Sequence, residues 1–293
     1  MIASNSSNMA GKVCVVTGSS SGIGKATALG LAALGATVVM VVRDQHRGEI
    51  AKDEIVAETR NSEIRLEVCD LLSMNATREL VRRFGSSYSR LDVLVNNAGG
   101  VFASRQNTPE GFERTLALNY LAPVLIARGL APLLVSSAPS RVIDVGSGEH
   151  ARGGLDFGDL RVTGHYSSRK AYSSAKLMLT MFTYELARRL AGTGVTANVV
   201  QPGFVATNLG KNSGSGLQSA LFRMMRPFQI SAEKAAETSV YLSSSVDVKD
   251  ATGKCFSKMK EVKTSQVSYD EEKQKRLWDV TSGLLSLPKG SGY

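Results

Sequence analysis

The sequence has no apolar run near the roughly 20 residues that a membrane-spanning helix needs. It opens on MIASNSSNMA, without the basic start or apolar stretch of a signal peptide. Residues 1–9 therefore read as a disordered lead-in, and no stable membrane insertion is expected. Cysteine is scarce: Cys14, Cys69 and Cys255 each fall in an apolar, strand-like stretch. An odd number of scattered, buried thiols points to a reducing cytoplasm and argues against disulfides or a metal site. There is no internal repeat and no linker that would split the chain in two. The basic charge, +9 net, forms no single block: Arg78, Arg82, Arg83 and Arg90 cluster in one region, and a Lys-rich tail runs from Lys249 to Arg276. No stripe of aromatic and basic residues accompanies them, so nucleic acid is not an expected partner. What remains is a 293-residue chain, 43% hydrophobic and 21% charged, with the composition of a globular enzyme and the length for one large α/β domain.

The first half alternates strand and helix patterns. Lys12–Thr17 is a short apolar β-rich run that leads into Gly18-Ser-Ser-Ser-Gly22-Ile-Gly24 and a helical stretch, Lys25–Leu34. Strand, glycine-rich turn and helix form the context in which spaced glycines bind a dinucleotide. Gly18 permits the sharp turn, Gly22 lets backbone approach a pyrophosphate, and Gly24 lets helix pack on strand. The N–H groups at the helix start then face the phosphates. Ala36–Val42 is a second buried strand, and Arg43 follows it directly. An acidic residue there would accept from the ribose hydroxyls; an arginine offers a 2′-phosphate a charge-assisted fork, so NADP(H) is the expected cofactor. Lys25 and Arg47 are candidate auxiliary cations, while Asp44, turned inward, would favour NAD(H) instead.

Further along, helix patterns cover Gln45–Arg60, Ser73–Tyr88 and Thr108–Val135, and strand patterns cover Ile64–Cys69, Leu91–Val95 and Arg141–Val145. Asp70 ends the third strand, and Asn96-Asn97-Ala98-Gly99 follows the fourth, with two small residues where backbone must lie against a flat ligand. Asn119 sits inside an apolar helix, where its amide needs a partner. Ser147 follows the fifth strand at the sheet edge where ligands bind. Ala171–Leu190 is an amphipathic helix carrying Tyr172 and Lys176, four apart and so on one face. A fixed cation near the phenol moves its pKa from about 10 toward neutrality, so the pair suits proton exchange with an alcohol or ketone. Val195–Val200 is a sixth strand, closed by Pro202 and Gly203, and a seventh lies near Gly253–Phe256. Helices are expected at Ser231–Ser243 and Asp270–Leu285, and Asn208–Arg226 reads as a partly apolar flap for substrate contact. The fold class expected is a single doubly wound, Rossmann-type α/β domain over 10–293. It has a mostly parallel seven-stranded sheet and helices on both faces.

From about Gly11 to Leu285 the chain resembles the short-chain dehydrogenase/reductase superfamily. The motifs come in order: the Thr17–Gly24 loop, Asp70, Asn96–Gly99, Asn119, Ser147, Tyr172–Lys176 and Pro202–Thr207. Val42-Arg43-Asp44, Arg188–Val195 and Gly253–Ser257 resemble its retinol-dehydrogenase-like branch. The resemblance implies a catalytic tetrad. Tyr172 exchanges the proton, Ser147 hydrogen-bonds the substrate oxygen, Lys176 binds the nicotinamide ribose and lowers the Tyr172 pKa, and Asn119 holds a water that relays protons. It implies cofactor contacts from Gly18, Ser20, Ser21, Gly22, Ile23 and Gly24, then Arg43, Asp70 and Leu71, then Asn97, Ala98 and Gly99. Tyr172, Lys176, Pro202, Gly203, Val205 and Thr207 complete that set. Homodimer pairing is implied through the helices Thr108–Val135 and Ala171–Leu190, with the insertion Gly153–Arg169 covering part of that face. Gly146 stands where many relatives carry a second serine, which would loosen the strand end. The expectation is an NADP(H)-dependent oxidoreductase acting on a small, mostly apolar carbonyl or alcohol. The rival is a non-catalytic dinucleotide-binding sensor or scaffold, and a weaker idea is peripheral membrane association through the Lys-rich tail.

Overall fold

The computed structural model describes residues 8–160, 164–203, 230–288 and 292–293. Among them, β1 (Val13–Thr17), β2 (Thr37–Val42), β3 (Ile64–Val68), β4 (Val93–Asn96), β5 (Ser140–Val145), β6 (Val195–Val200), β7 (Lys254–Ser257) and β8 (Lys260–Glu261) form one sheet in the order β3-β2-β1-β4-β5-β6-β7-β8. Seven strands are parallel, and β8 adds an antiparallel edge to β7. The expected sheet of seven is thus extended by one strand. Two residues are too few to leave a periodic signal, and the reversal depends on Lys258 and Met259 taking positive φ.

Parallel strands covered on both faces read as unbroken apolar runs, which is why β1, β2 and β6 were legible. On one face lie α1 (Gly22–Ala33), α2 (Gln45–Thr59) and α6 (Ala232–Ser244), closing a core around Leu31, Val38, Ile55 and Leu242. On the other lie α3 (Met74–Ser87), α4 (Arg114–Ser136), α5 (Ser168–Arg189) and α7 (Glu271–Leu284), around Phe84, Leu121, Leu134 and Phe182. The strand order reverses between β1 and β4, which opens a crevice at their carboxyl ends.

The helix expected from Thr108 begins instead at Arg114. Residues 107–113 close a tight turn, with Thr108 N–H donating to Phe112 O at 2.7 Å and Gly111 at φ +81°. The Glu113 carboxylate then caps the helix through the Thr115 and Leu116 N–H groups at 2.8 Å each. α4 is also long and apolar enough to cross a bilayer, contrary to the sequence reading, yet 72% of its most apolar stretch is buried inside this fold. It serves as a core helix here.

The C-terminal helix α7 lies across α4 and α5. Trp278 is 2% exposed, stacks on Phe182 at 5.5 Å and 13°, and has the guanidinium carbons of Arg128 and Arg189 each 4.2 Å from its ring centroid. Arg128 also donates to Ser282 Oγ at 2.6 Å and Pro288 O at 2.7 Å, and Tyr120 bonds Thr281 at 2.7 Å. Pairing of two chains through α4 and α5 would have to displace this helix. The insertion after Ser147 also packs inward: Gly153 sits against the Ser173 backbone, Leu160 is buried, and Phe157 carries the Arg276 guanidinium at 4.3 Å.

Candidate active site

A cleft of about 460 Å³ runs along the carboxyl edge of the sheet, from Arg43, Asp44 and Arg47 past the glycine loop to Tyr172, Lys176 and Pro202. At its centre is the start of α1. The N-termini of α2, α3, α4, α5, α6 and α7 are each closed by a side chain (Asp44, Ser73, Glu113, Ser167, Ser231 and Asp270). α1 has no side-chain cap, and Ser21, Gly22, Ile23 and Gly24 line the cleft. Its first-turn N–H groups are thus left for an anion. The glycines are there for space. Gly18 has φ +66°, and a side chain on it would meet Ala98 Cα at 2.9 Å; one on Gly24 would collide with Gly18 O and Asn97 Nδ2. Asn97 donates to Thr17 O at 2.8 Å, and Thr17 Oγ1 accepts from the Asn97 and Ala98 N–H groups at 2.9 and 3.0 Å, locking the two loops together. These features fit the pyrophosphate and adenosine of a dinucleotide.

At the end of β2, Arg43 and Arg47 are exposed on the cleft rim. Asp44 lines the same rim, where its Oδ1 accepts from Arg47 N–H at 3.0 Å and caps α2. Lys25, a candidate auxiliary cation, is paired with Glu54. Asp70 and Leu71 line the cleft, with Asp70 Oδ1 accepting from Leu72 N–H at 3.1 Å. Gly203, next to Pro202, has φ +82°. Val205, Thr207 and the flap at Asn208–Arg226 lie outside the described residues.

At the other end, α5 brings Tyr172 and Lys176 to the cleft, with Lys176 Nζ 5.8 Å from the Tyr172 ring centroid. Ser147 acts on the Tyr172 phenol, favouring its ionised form. Ser147 Oγ also accepts from Glu149 N–H at 3.2 Å, so its own proton is free to point at the phenol or at a substrate oxygen. Lys176 is 4% exposed and donates to Val145 O at 2.7 Å. Asn119 is fully buried in a π-helical segment, Ala117–Leu121, of α4. Its Nδ2 donates to Gly100 O and Thr115 O at 2.8 Å each, and its Oδ1 accepts from Gly100 N–H at 3.2 Å. Both amide protons are therefore committed. The side chain clamps Gly100, and its Oδ1 also lies beside Gly99 and Lys176.

Burial pushes the Tyr172 phenol above its usual value; Ser147 opposes this and the Glu149 carboxylate adds to it. Burial outweighs the lowering expected from the Lys176 ammonium, which donates to Val145 O. Burial brings Lys176 itself down to about 8, with the Asp144 carboxylate resisting. Asp144, fully buried, is pushed up by burial to about 6 against hydrogen bonds from Asn96 and Thr183 at 2.8 Å each and the Lys176 ammonium.

Gly146 does not loosen the end of β5. Val199 Cγ1 fills the space, 2.7 Å from where a side-chain carbon would sit, and Gly146 N–H donates to Val200 O at 2.8 Å. Sequence reading passed over Thr17 Oγ1, Asp144 and Val145, whose roles come from strands, loops and a helix brought together across 31 to 80 residues. It also passed over Tyr166, whose hydroxyl donates to Phe102 O at 2.7 Å and fixes the cleft wall.

A family model described as short chain dehydrogenase matches residues 12–218. Retinol dehydrogenase 13 of Mus musculus is 37% identical over 287 residues, covering 96% of this chain and 86% of that one. The crystal structure of an uncharacterised protein from Mycobacterium paratuberculosis superposes with a TM-score of 0.79 at 29% identity, covering 98% of each chain. A short chain dehydrogenase from Burkholderia cenocepacia, solved in complex with NADP, superposes with a TM-score of 0.67 at 26% identity, over 85% of this chain and 97% of that one.

Proposed function

The chain belongs to the short-chain dehydrogenase family, in its retinol-dehydrogenase-like branch, and on that premise we propose that it is an NADP(H)-dependent oxidoreductase. It interconverts a ketone or aldehyde with the corresponding alcohol on a small, mostly apolar substrate. The observation that carries this reading is one cleft with an uncapped helix N-terminus and two arginines at one end, and Tyr172 beside Lys176 at the other, with Ser147 acting on the phenol.

Bound there, a nicotinamide dinucleotide would supply or accept the hydride. The α1 N–H groups and Gly18–Gly24 would hold its pyrophosphate, Arg43 and Arg47 a 2′-phosphate, and Lys176 the ribose beside the nicotinamide. The chain's own part is the proton. In reduction, Tyr172 is a neutral phenol at working pH and gives its proton to the carbonyl oxygen as charge develops on it. Ser147, its acceptor face held by Glu149 N–H, donates to the same oxygen and stabilises that charge. The phenolate left behind lies beside the Lys176 ammonium, which favours it. In the alcohol-oxidising direction Tyr172 must first lose its proton, so a raised pKa favours reduction near neutrality. The wall formed by Val101, Phe102 and Leu118 suits an apolar substrate body. With α7 across α4 and α5, a monomer is favoured over the homodimer that the resemblance implied. A cytoplasmic location agrees with the buried free thiols.

A panel of aldehydes and ketones, followed by NADPH absorbance, tests the reading. Turnover yielding alcohol supports it. Tight NADPH binding with no turnover of any carbonyl would favour the non-catalytic sensor instead.

A further inference from the structure

His150 lies in the short turn Gly148–Arg152 that follows Ser147, and it is 4% exposed. Both of its ring nitrogens are engaged. Nε2 is 3.1 Å from the backbone N–H of Ser265, and Nδ1 is 2.8 Å from the carbonyl oxygen of Ser147. A backbone N–H can only donate, so Nε2 carries the lone pair and the ring proton sits on Nδ1. Nδ1–H then donates to Ser147 O. That oxygen also accepts from His150 N–H at 3.1 Å, so two donors from one residue pin the Ser147 peptide. The Gln201 amide, 3.4 Å from Nδ1, can only help by presenting its oxygen to the same proton.

This matters because the direction of the Ser147 hydroxyl depends on the backbone around it. Oγ accepts from Glu149 N–H, two residues on in the same turn, and Ser147 acts on the Tyr172 phenol. A rotation of the Ser147 carbonyl would carry the turn and the hydroxyl with it. The other end of the ring is tied to the C-terminal part of the fold: Ser265 starts the turn Gln266–Tyr269, where Tyr269 stacks on Tyr184 of α5 at 5.5 Å.

We propose that His150, as the neutral Nδ1–H tautomer, is a positioning residue for Ser147, and that it couples the oxygen-binding end of the site to the segment at Ser265. This rests on the oxidoreductase reading of the site. His46 and His165, the other two histidines, are exposed.

The tautomer is read without substrate, by two-bond ¹⁵N–¹H correlation of the imidazoles. One ring, absent from His150→Leu, should be locked with its proton on Nδ1; an Nε2–H form or fast exchange between forms would overturn the proposal. The second arm uses NADPH with 4-nitrobenzaldehyde as probe. His150→Asn keeps a donor near the Nδ1 position and should retain kcat within about threefold. His150→Gln places its amide near Nε2, ties only Ser265, and should lower kcat roughly 10–100-fold, as should His150→Leu, the range for a misplaced group of this kind. NADPH affinity should be unchanged in all three. Thermal stability should instead fall more in His150→Asn, which releases Ser265, than in His150→Gln. Rates that follow melting temperature across the three variants would make His150 merely structural. If wild type binds NADPH but reduces no carbonyl, the functional reading fails while the tautomer measurement still decides the bond network.

Discussion

Lys176 Nζ donates to the carbonyl oxygen of Val145 at 2.7 Å, which joins α5 to the end of β5. The bond holds a buried ammonium at the cleft while leaving the phenol 5.8 Å away, measured to its ring centroid. Its nearest ionisable counterpart is Asp144, the residue before Val145, and the two groups shift in opposite directions.

That pair gives the fold a pH signature. Asp144 moves from an ordinary 3.8 up to about 6, so its stabilising contribution is complete below the unfolded value and is lost as pH rises to about 6. Lys176 moves from 10.5 down to about 8, so stability returns as pH rises from about 8 toward 10.5. Between about 6 and 8 both are charged and the pair costs most. Asp144→Asn removes the first step. Its melting temperature relative to wild type should climb between pH 4 and pH 6, by an amount equivalent to on the order of 2 kcal/mol. A difference that does not vary with pH would mean that Asp144 is not titrating there.

Tyr172 and Lys176 also set a direction-dependent rate profile. Carbonyl reduction should hold steady through neutrality and fall above about pH 8 as Lys176 loses its proton. Alcohol oxidation should rise with pH, because the phenol is held above its usual value and must deprotonate first. Initial rates in both directions from pH 6 to 10 check this, and parallel profiles would contradict it.

Cofactor choice depends on the end of β2. One Asp44 oxygen is taken up as the α2 cap, and Arg43 and Arg47 line the cleft beside it. An arginine–phosphate pair is charge-assisted, so Arg43→Ala should weaken NADPH binding about 10–100-fold and leave NADH nearly unchanged. Equal losses for both cofactors by titration would remove the 2′-phosphate from the account.

Gly146 is held by volume. Gly146→Ser should destabilise by about 1–3 kcal/mol, because its Cβ meets Val199 Cγ1 at 2.7 Å. Val199→Ala in the same chain should recover part of that loss, so the pair should couple in a denaturant double-mutant cycle. Simple additivity would show that the serine finds room another way.

Much of this was legible in the sequence because it is local. Gly18, Gly22 and Gly24 follow a strand and precede a helix, and Tyr172 and Lys176 are four apart on one helix, so short-range rules sufficed. The start of α4 was misread although Pro109 and Gly111 mark a turn, since the apolar pattern of the helix behind them dominated. The Asn119 clamp on Gly100, the Val199 wall behind Gly146 and the α7 cover over α4 and α5 depend on segments far apart in the chain. Only the folded register brings those together. The Tyr172 pKa goes the other way for a similar reason: spacing places a cation on the same face but does not say how deeply the phenol will be buried.

The central claim is that Tyr172 is the proton donor of an NADPH-dependent carbonyl reduction. It is tested most directly by Tyr172→Phe, which removes only the phenol oxygen, assayed beside wild type for NADPH binding and for single-turnover reduction of a carbonyl that wild type accepts. The account predicts an unchanged NADPH dissociation constant and a rate lowered by about 10²–10⁴-fold, the range for a lost general acid. A variant that reduces the substrate as fast as wild type would contradict it.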